Sequence, residues 1–371
     1  MNIKRSLIGA AITATFAATL AATLAGSAFA QVPAGYPADY QKIIDGAKKE
    51  AKLVIYSATD SKAAQPLIKD FNTLYPGVTV EYNDMNSTEV YNRFISEAAA
   101  GGNTADVLWS SAMDLQMRLA SDGHALKYKS PEAAKLPAWA MWNDSAYGTT
   151  FEPAAIVYNK RLLSTSEIPR THSAFATLIK TEKFRDKVTT YDIEKSGVGF
   201  MFMTQDAREN PQFLELENAF GVAKVRVQSS TGTMLERISS GENLIGYNVL
   251  GSYALVRAKT DPSLGVVLPA DYTLILSRVQ FINKSAKNPN AAKLWMDYLL
   301  SVRGQTVIAN DSKLFAIRSD VKGETTSAEL IKIIGEKNVK PVPVHPIVLQ
   351  FLGPAKRMAF LKQWKETAGK K

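Results

Sequence analysis

The 371-residue sequence contains no cysteine and only three histidines. The first absence removes structural disulfides, thiolate metal sites and thiol nucleophiles together, and with them a lipid-modified cysteine at a processing point. His124, His172 and His345 have no metal-ligand spacing to one another and no acid or nucleophile partner in a local motif. Ser57, Ser110 and Ser229 lack a Gly-x-Ser-x-Gly context, and the glycines form no phosphate-binding P-loop. An exported hydrolase is therefore disfavoured, and neither catalytic residues, a metal nor a cofactor is expected. Beyond residue 30 no run is apolar enough to span a bilayer.

What is present begins with a leader. Lys4 and Arg5 precede an Ala/Thr/Leu-rich stretch that ends at Ala28-Phe29-Ala30, a small-x-small processing signature, so cleavage after Ala30 and a periplasmic location are expected. The formal net charge is +9, and loss of Lys4 and Arg5 with the leader leaves +7. The basic residues are dispersed in short pairs such as Lys48-Lys49, which disfavours a nucleic-acid-binding stripe and gives only a weak positive background that attracts anions. An exported chain without disulfides needs a large core, and the length left after the leader suits two domains in a monomer.

Three times in the first part of the chain an apolar strand pattern ends in a small polar loop that opens a helix. Leu53–Tyr56 runs into Ser57-Ala58-Thr59-Asp60, Val78–Tyr82 into Asn83–Thr88, and Asp106–Trp109 into Ser110-Ser111. This alternation predicts a parallel sheet whose ligand crevice lies beyond the carboxyl ends of its strands. Gly148–Lys160 reads as a crossing strand to a second α/β unit with similar loops at Ser196-Gly197 and Ser229-Ser230-Thr231. The expected divisions are a leader over 1–30, a first lobe from 31 to 150, a second lobe over 151–267, a return to the first lobe over 268–324 and C-terminal helices over 325–371.

The ordered set Val54-Ile55-Tyr56-Ser57, Tyr75-Pro76-Gly77-Val78, Ala105–Ser111, Ile156–Lys160, Ser240-Gly241-Glu242, Asn288–Lys293 and Leu299–Gln305 resembles the type II periplasmic binding proteins of ABC importers. The resemblance is to the branch that includes ferric-ion, polyamine and organophosphate binders. It implies a two-lobed α/β fold, each lobe a mostly parallel sheet flanked by helices, with the ligand in the hinge cleft. It also implies an inner-membrane ABC permease as partner, a receptor kinase being the alternative. Ferric binders of this branch carry adjacent tyrosines after the Gly-Glu segment. Here Gly251-Ser252 stands in their place, with Tyr247 and Tyr253 six residues apart, so iron becomes the second choice of cargo.

The first choice is a small organic anion, phosphorylated or a phosphonate, held on hydroxyl and amide loops at helix starts. Such starts expose unpaired N–H groups and partial positive charge. The candidate ligand-binding residues are Ser57, Thr59, Asn86, Ser87, Thr88, Ser110, Ser111, Tyr147, Asp192, Ser196, Ser229, Ser230, Tyr247 and Tyr272. Asp192 is the acid that, by resemblance to sugar-phosphate binders, would accept hydrogen bonds from ligand hydroxyls; the plainer alternative is a cap for the next turn. Arg278 is open to two roles, a fork on an anion or a hinge residue.

Overall fold

The computed structural model describes residues 32–102 and 104–368. The leader and its processing site fall outside the described residues. The first lobe opens with α1 (Gln41–Glu50), β1 (Lys52–Ser57), α2 (Ser61–Leu74), β2 (Thr79–Asp84), α3 (Ser87–Ala99), β3 (Val107–Ser110) and α4 (Met113–Ser121). A hairpin, β4 (Met141–Trp142) and β5 (Ala146–Gly148), ends this part. The second lobe follows as β6 (Glu152–Asn159), α5 (His172–Ile179), β7 (Val188–Tyr191), α6 (Gly197–Glu209), α7 (Phe213–Val222) and β8 (Arg226–Gln228). It continues through α8 (Thr231–Ser240), β9 (Ile245–Leu250), α9 (Gly251–Thr260), β10 (Leu264–Val267) and β11 (Thr273–Leu276). The chain then returns with β12 (Val279–Ile282), α10 (Pro289–Leu300), α11 (Val302–Asn310) and α12 (Ser327–Ile334), and ends in β13 (Val339–Pro341) and α13 (Pro354–Thr367).

Two mixed sheets result. The first has the order β2-β1-β3-β12-β5-β4, and the second runs β13-β11-β6-β9-β7-β8 with β10 beside β6. β1 pairs in parallel with both β2 and β3, so Asp84, Ser57 and Trp109 stand abreast at the carboxyl ends of three strands. In the second sheet β7 is parallel to β8 and β9, which brings the ends of Tyr191 and Gln228 together in the same way.

The strand pairing corrects two expected boundaries. β11 pairs with β6 in the second sheet, so the return crossing lies at Ser277-Arg278 and not near residue 268. The tail is not purely helical: β13 adds to β11, and α13 buries Phe360 and Trp364 against α7 and α6 of the second lobe. Each lobe has its own aromatic core. Phe71 packs at 5.3 Å from Trp295 and 5.6 Å from Tyr298 in the first, and Phe175 at 4.9 Å from Tyr247 in the second. Burial of such rings is the main favourable term in holding each lobe as a unit.

At the crossings lies a fully buried ion pair. Arg278 and Glu152 are both fully buried; Nε donates to Oε1 at 2.6 Å and Nη2 to Oε2 at 3.2 Å. Nη1 donates to the Ala58 carbonyl at 3.2 Å and to Thr59 Oγ1 at 2.9 Å. Arg278 is thus a hinge residue that ties both crossings to the loop after β1. Its guanidinium is consumed, and the anion-fork role falls away.

Candidate functional site

Between the lobes lies a cleft of about 320 Å³, the small end of the range for small-molecule sites. Its walls include the N-cap residues of five helices. Asp60 (α2) and Asn86 (α3) come from the first lobe, and Ser196 (α6), Ser230 (α8) and Leu250 (α9) from the second. Helix starts gather here because the parallel strands of both sheets end here, each followed by a helix running back along its sheet. Five such starts aim partial positive charge into one space.

Six of the expected residues line this cleft: Asn86, Ser87, Ser111, Ser196, Ser229 and Ser230. Most are already partnered. Asn86 caps α3 by accepting from the Thr88 amide at 2.8 Å, while Ser196 and Ser230 cap α6 and α8 by accepting from the Gly199 and Thr233 amides. Ser111 differs. It is 3% exposed, it lies just before the uncapped start of α4, and among the described hydrogen bonds its hydroxyl has none.

Thr88 serves instead as a latch between lobes. Its hydroxyl donates to the Lys195 carbonyl at 2.9 Å, beside a bond from the Val198 amide to Ser87 Oγ at 3.3 Å and one from Asn86 Nδ2 to the Ser229 carbonyl at 3.5 Å. These contacts join the start of α3 to the loops before α6 and α8, so the lobes are closed on each other.

The remaining expected residues stand elsewhere. Ser57 Oγ donates to the Trp109 carbonyl at 2.9 Å and shapes the β1 loop, and Thr59 is the acceptor for Arg278. Ser110 Oγ accepts from the Ala112 amide. Tyr147 is buried in the first-lobe core with its hydroxyl on the Tyr128 carbonyl. Asp192 has the plainer role: it accepts from the Glu194 and Lys195 amides as a turn cap, and it lines a separate, larger groove along β8. Tyr247 and Tyr272 both donate to the buried Asp206, at 3.0 and 2.8 Å, and Asn248 Nδ2 donates to the same carboxylate at 2.6 Å. Burial pushes Asp206 above the usual carboxylate range while the nearby His172 and these donors oppose the rise.

Three contributors escaped the sequence reading. Tyr253, in the first turn of α9, lines the cleft and accepts from the Asp60 amide at 3.2 Å; burial pushes its phenol up to about 12. Asp60 and Asp84 line it too, and among the described residues they are its only charged side chains. Both lie within the polar stretches at the ends of β1 and β2, where an acid looks like any other turn residue. Asp84 accepts from the Ser61 amide and hydroxyl, at 2.7 and 3.0 Å, and so caps α2 from the neighbouring strand.

The missing tyrosine pair also has a physical basis. A Cβ at Gly251 would stand 2.8 Å from the Pro153 carbonyl oxygen, so β6 leaves no room for a side chain there. The next residue, Ser252, is fully buried and hydrogen-bonded to Glu152 of the hinge pair. Among the described residues, no group of three or more carboxylate or histidine side chains is placed to hold a metal ion, and no helix is long and apolar enough to cross a membrane.

Known proteins agree with this geometry. A crystal structure of the substrate-binding protein of an ABC transporter from Agrobacterium tumefaciens aligns with a TM-score of 0.81 and 38% identity, covering 85% of this chain and 94% of that one. The periplasmic binding protein AfuA from Actinobacillus pleuropneumoniae, solved with fructose-6-phosphate, aligns at 0.71 with 17% identity over 86% and 98% of the two chains. Iron-bound HitA from Pseudomonas aeruginosa aligns at 0.69, also with 17% identity, over 85% and 99%. These two share the fold. No curated protein matches in sequence. The family profile of bacterial extracellular solute-binding proteins matches residues 57–306, more than half of the chain. Together with the Agrobacterium relative, this match establishes that the chain belongs to the bacterial extracellular solute-binding protein family.

Proposed function

We propose that the chain is the exported capture component of an ABC importer and that its cargo is a small solute with a compact anionic group, held between the lobes without chemical conversion. The observation that carries this reading is a cleft onto which five helix starts converge, lined by Ser111, whose hydroxyl has no partner among the described hydrogen bonds. A carboxylate, phosphonate or phosphate placed there accepts from that hydroxyl and from free N–H groups of both lobes. Contacts in both lobes are what favour closure, since a ligand held by one lobe alone shifts no equilibrium between open and closed forms. The importer role rests on family membership and on the Agrobacterium relative, itself an ABC-transporter component.

Ferric ion has one observation on its side, the phenol of Tyr253 beside the carboxylates of Asp60 and Asp84, which are hard oxygen donors. A thermal-shift panel of the mature protein against phosphonates, sugar phosphates, carboxylates, polyamines and ferric citrate separates the two. Stabilisation by several degrees with an anionic member at saturation is expected. Stabilisation by ferric ion alone, with a phenolate-to-iron colour, overturns the anion reading.

A further inference from the structure

The cleft presents a mismatch for a purely anionic cargo. Its helix starts are electropositive, yet among the described residues its only charged side chains are Asp60 and Asp84, and no lysine, arginine or histidine lines it. The nearby guanidinium of Arg278 is consumed by Glu152, Ala58 and Thr59.

Asp60 adds a second oddity. It occupies the N-cap position of α2, where an aspartate ordinarily turns back onto its own helix, but its side chain makes no cap bond. Asp84 does the capping from the adjacent strand. The Asp60 carboxylate is thereby left at the cleft, where the Tyr253 hydroxyl hydrogen-bonds to it. Burial raises its carboxyl above the usual range against the pull of Arg278, and the Asp84 charge adds to the rise. Two carboxylates side by side, with no cationic side chain on the surrounding wall, are stabilised by a cation brought from outside.

Strand order separates this acidic end from Ser111. Asp84 and Trp109 flank Ser57 on opposite sides, so Asp84 ends β2 while Ser111 follows β3. At about 4.8 Å per strand the two backbones stand roughly 10 Å apart, which leaves room for a short chain between two charged groups.

We infer that the cargo is a zwitterion: a protonated amine is held by Asp60 and Asp84, and a compact anionic group, joined to it by a short chain, reaches the helix starts around Ser111. The amine end rests on the anion reading given above for the other half of the solute. It assigns Asp60 and Asp84 as specificity-determining residues that admit amino-bearing anions over their plain counterparts.

The test is titration calorimetry on the mature protein with matched pairs of two to six carbons: ω-aminoalkyl carboxylates and phosphonates against the same acids without the amine. Simple alkylamines form a third set. Amino-bearing members are expected to bind at least about tenfold more tightly than their partners, the scale of one charge-assisted hydrogen bond. Asp60→Asn is expected to erase that preference by weakening the amino-bearing members at least about tenfold. Asp84→Asn, which keeps an acceptor for the Ser61 amide, is expected to narrow the preference for the amino-bearing members in the same direction. Equal binding of plain and amino acids overturns the amine site and leaves the anion reading standing. Binding of alkylamines as tight as that of the amino acids overturns the anion reading and leaves the acidic end standing. A lack of binding by every amino-bearing member overturns the inference.

Discussion

Two polar regions lie a few residues apart in this protein and follow opposite rules. At the hinge, Arg278, Glu152, Ser252 and Thr59 are buried and bonded to one another, so each charge and donor is answered within the chain. In the cleft, the Ser111 hydroxyl has no partner among the described hydrogen bonds, and Asp60 turns away from the cap it could make. Paired groups hold the crossings in one geometry, and unpaired ones leave binding capacity for a molecule from outside.

The comparison predicts that the two regions fail differently. Arg278→Ala strips the partner from a fully buried carboxylate and should cost about 3–5 kcal/mol of stability in denaturant unfolding. A much smaller loss would mean that Glu152 finds another partner, and the hinge would no longer count as fully paired.

Asp114 tests an intermediate case. It is buried on α4 where that helix meets the second lobe near Gly197 and Arg357, and burial pushes its carboxyl up to about 7. A raised carboxyl favours the protonated fold, so its contribution is complete below the ordinary aspartate range near pH 4 and is lost as pH rises through about 7. Asp114→Asn should therefore be more stable than the parent at pH 8, by about 1–3 kcal/mol, and the gain should vanish near pH 4. A gain independent of pH would place the effect in packing and not in charge.

Ser111→Ala should do the reverse of the hinge variant. Its hydroxyl has no partner to lose, so the melting temperature should hold while affinity for the anionic solute drops about tenfold. A large fall in melting temperature would put Ser111 among the structural groups. The smallest effect is expected of Thr88→Val, which removes the bond to the Lys195 carbonyl and should weaken ligand binding about threefold, with a more open form by small-angle scattering. Unchanged affinity and shape would show that closure does not use this latch.

Legibility followed the range of the interactions involved. The loops at Asn86–Thr88, Ser110-Ser111, Ser196 and Ser229–Thr231 could be found because strand, polar turn and helix start are local patterns. Asp60 and Asp84 were passed over because no local signal separates a capping aspartate from one turned towards a cleft. Asp192 was read as a ligand acid, yet its cap bonds span only two and three residues, the alternative its own sequence already offered. For Tyr147, Tyr247 and Tyr272 the ring chemistry was plain, and only the core around them shows where each hydroxyl is spent.

By itself the sequence determined the α/β alternation, the two-sheet body, the leader-like start and the lack of room for thiol chemistry, because these follow from composition and short-range periodicity. Tertiary structure alone decided which hydroxyls and charges remain free. Ser57 is answered by Trp109, 52 residues away, Thr59 by Arg278, 219 away, and Glu152 by Arg278, 126 away, whereas Ser111 meets no such partner. Whether a polar side chain can bind a solute depends on what the rest of the fold has already given it, and that is a property of contacts distant in sequence.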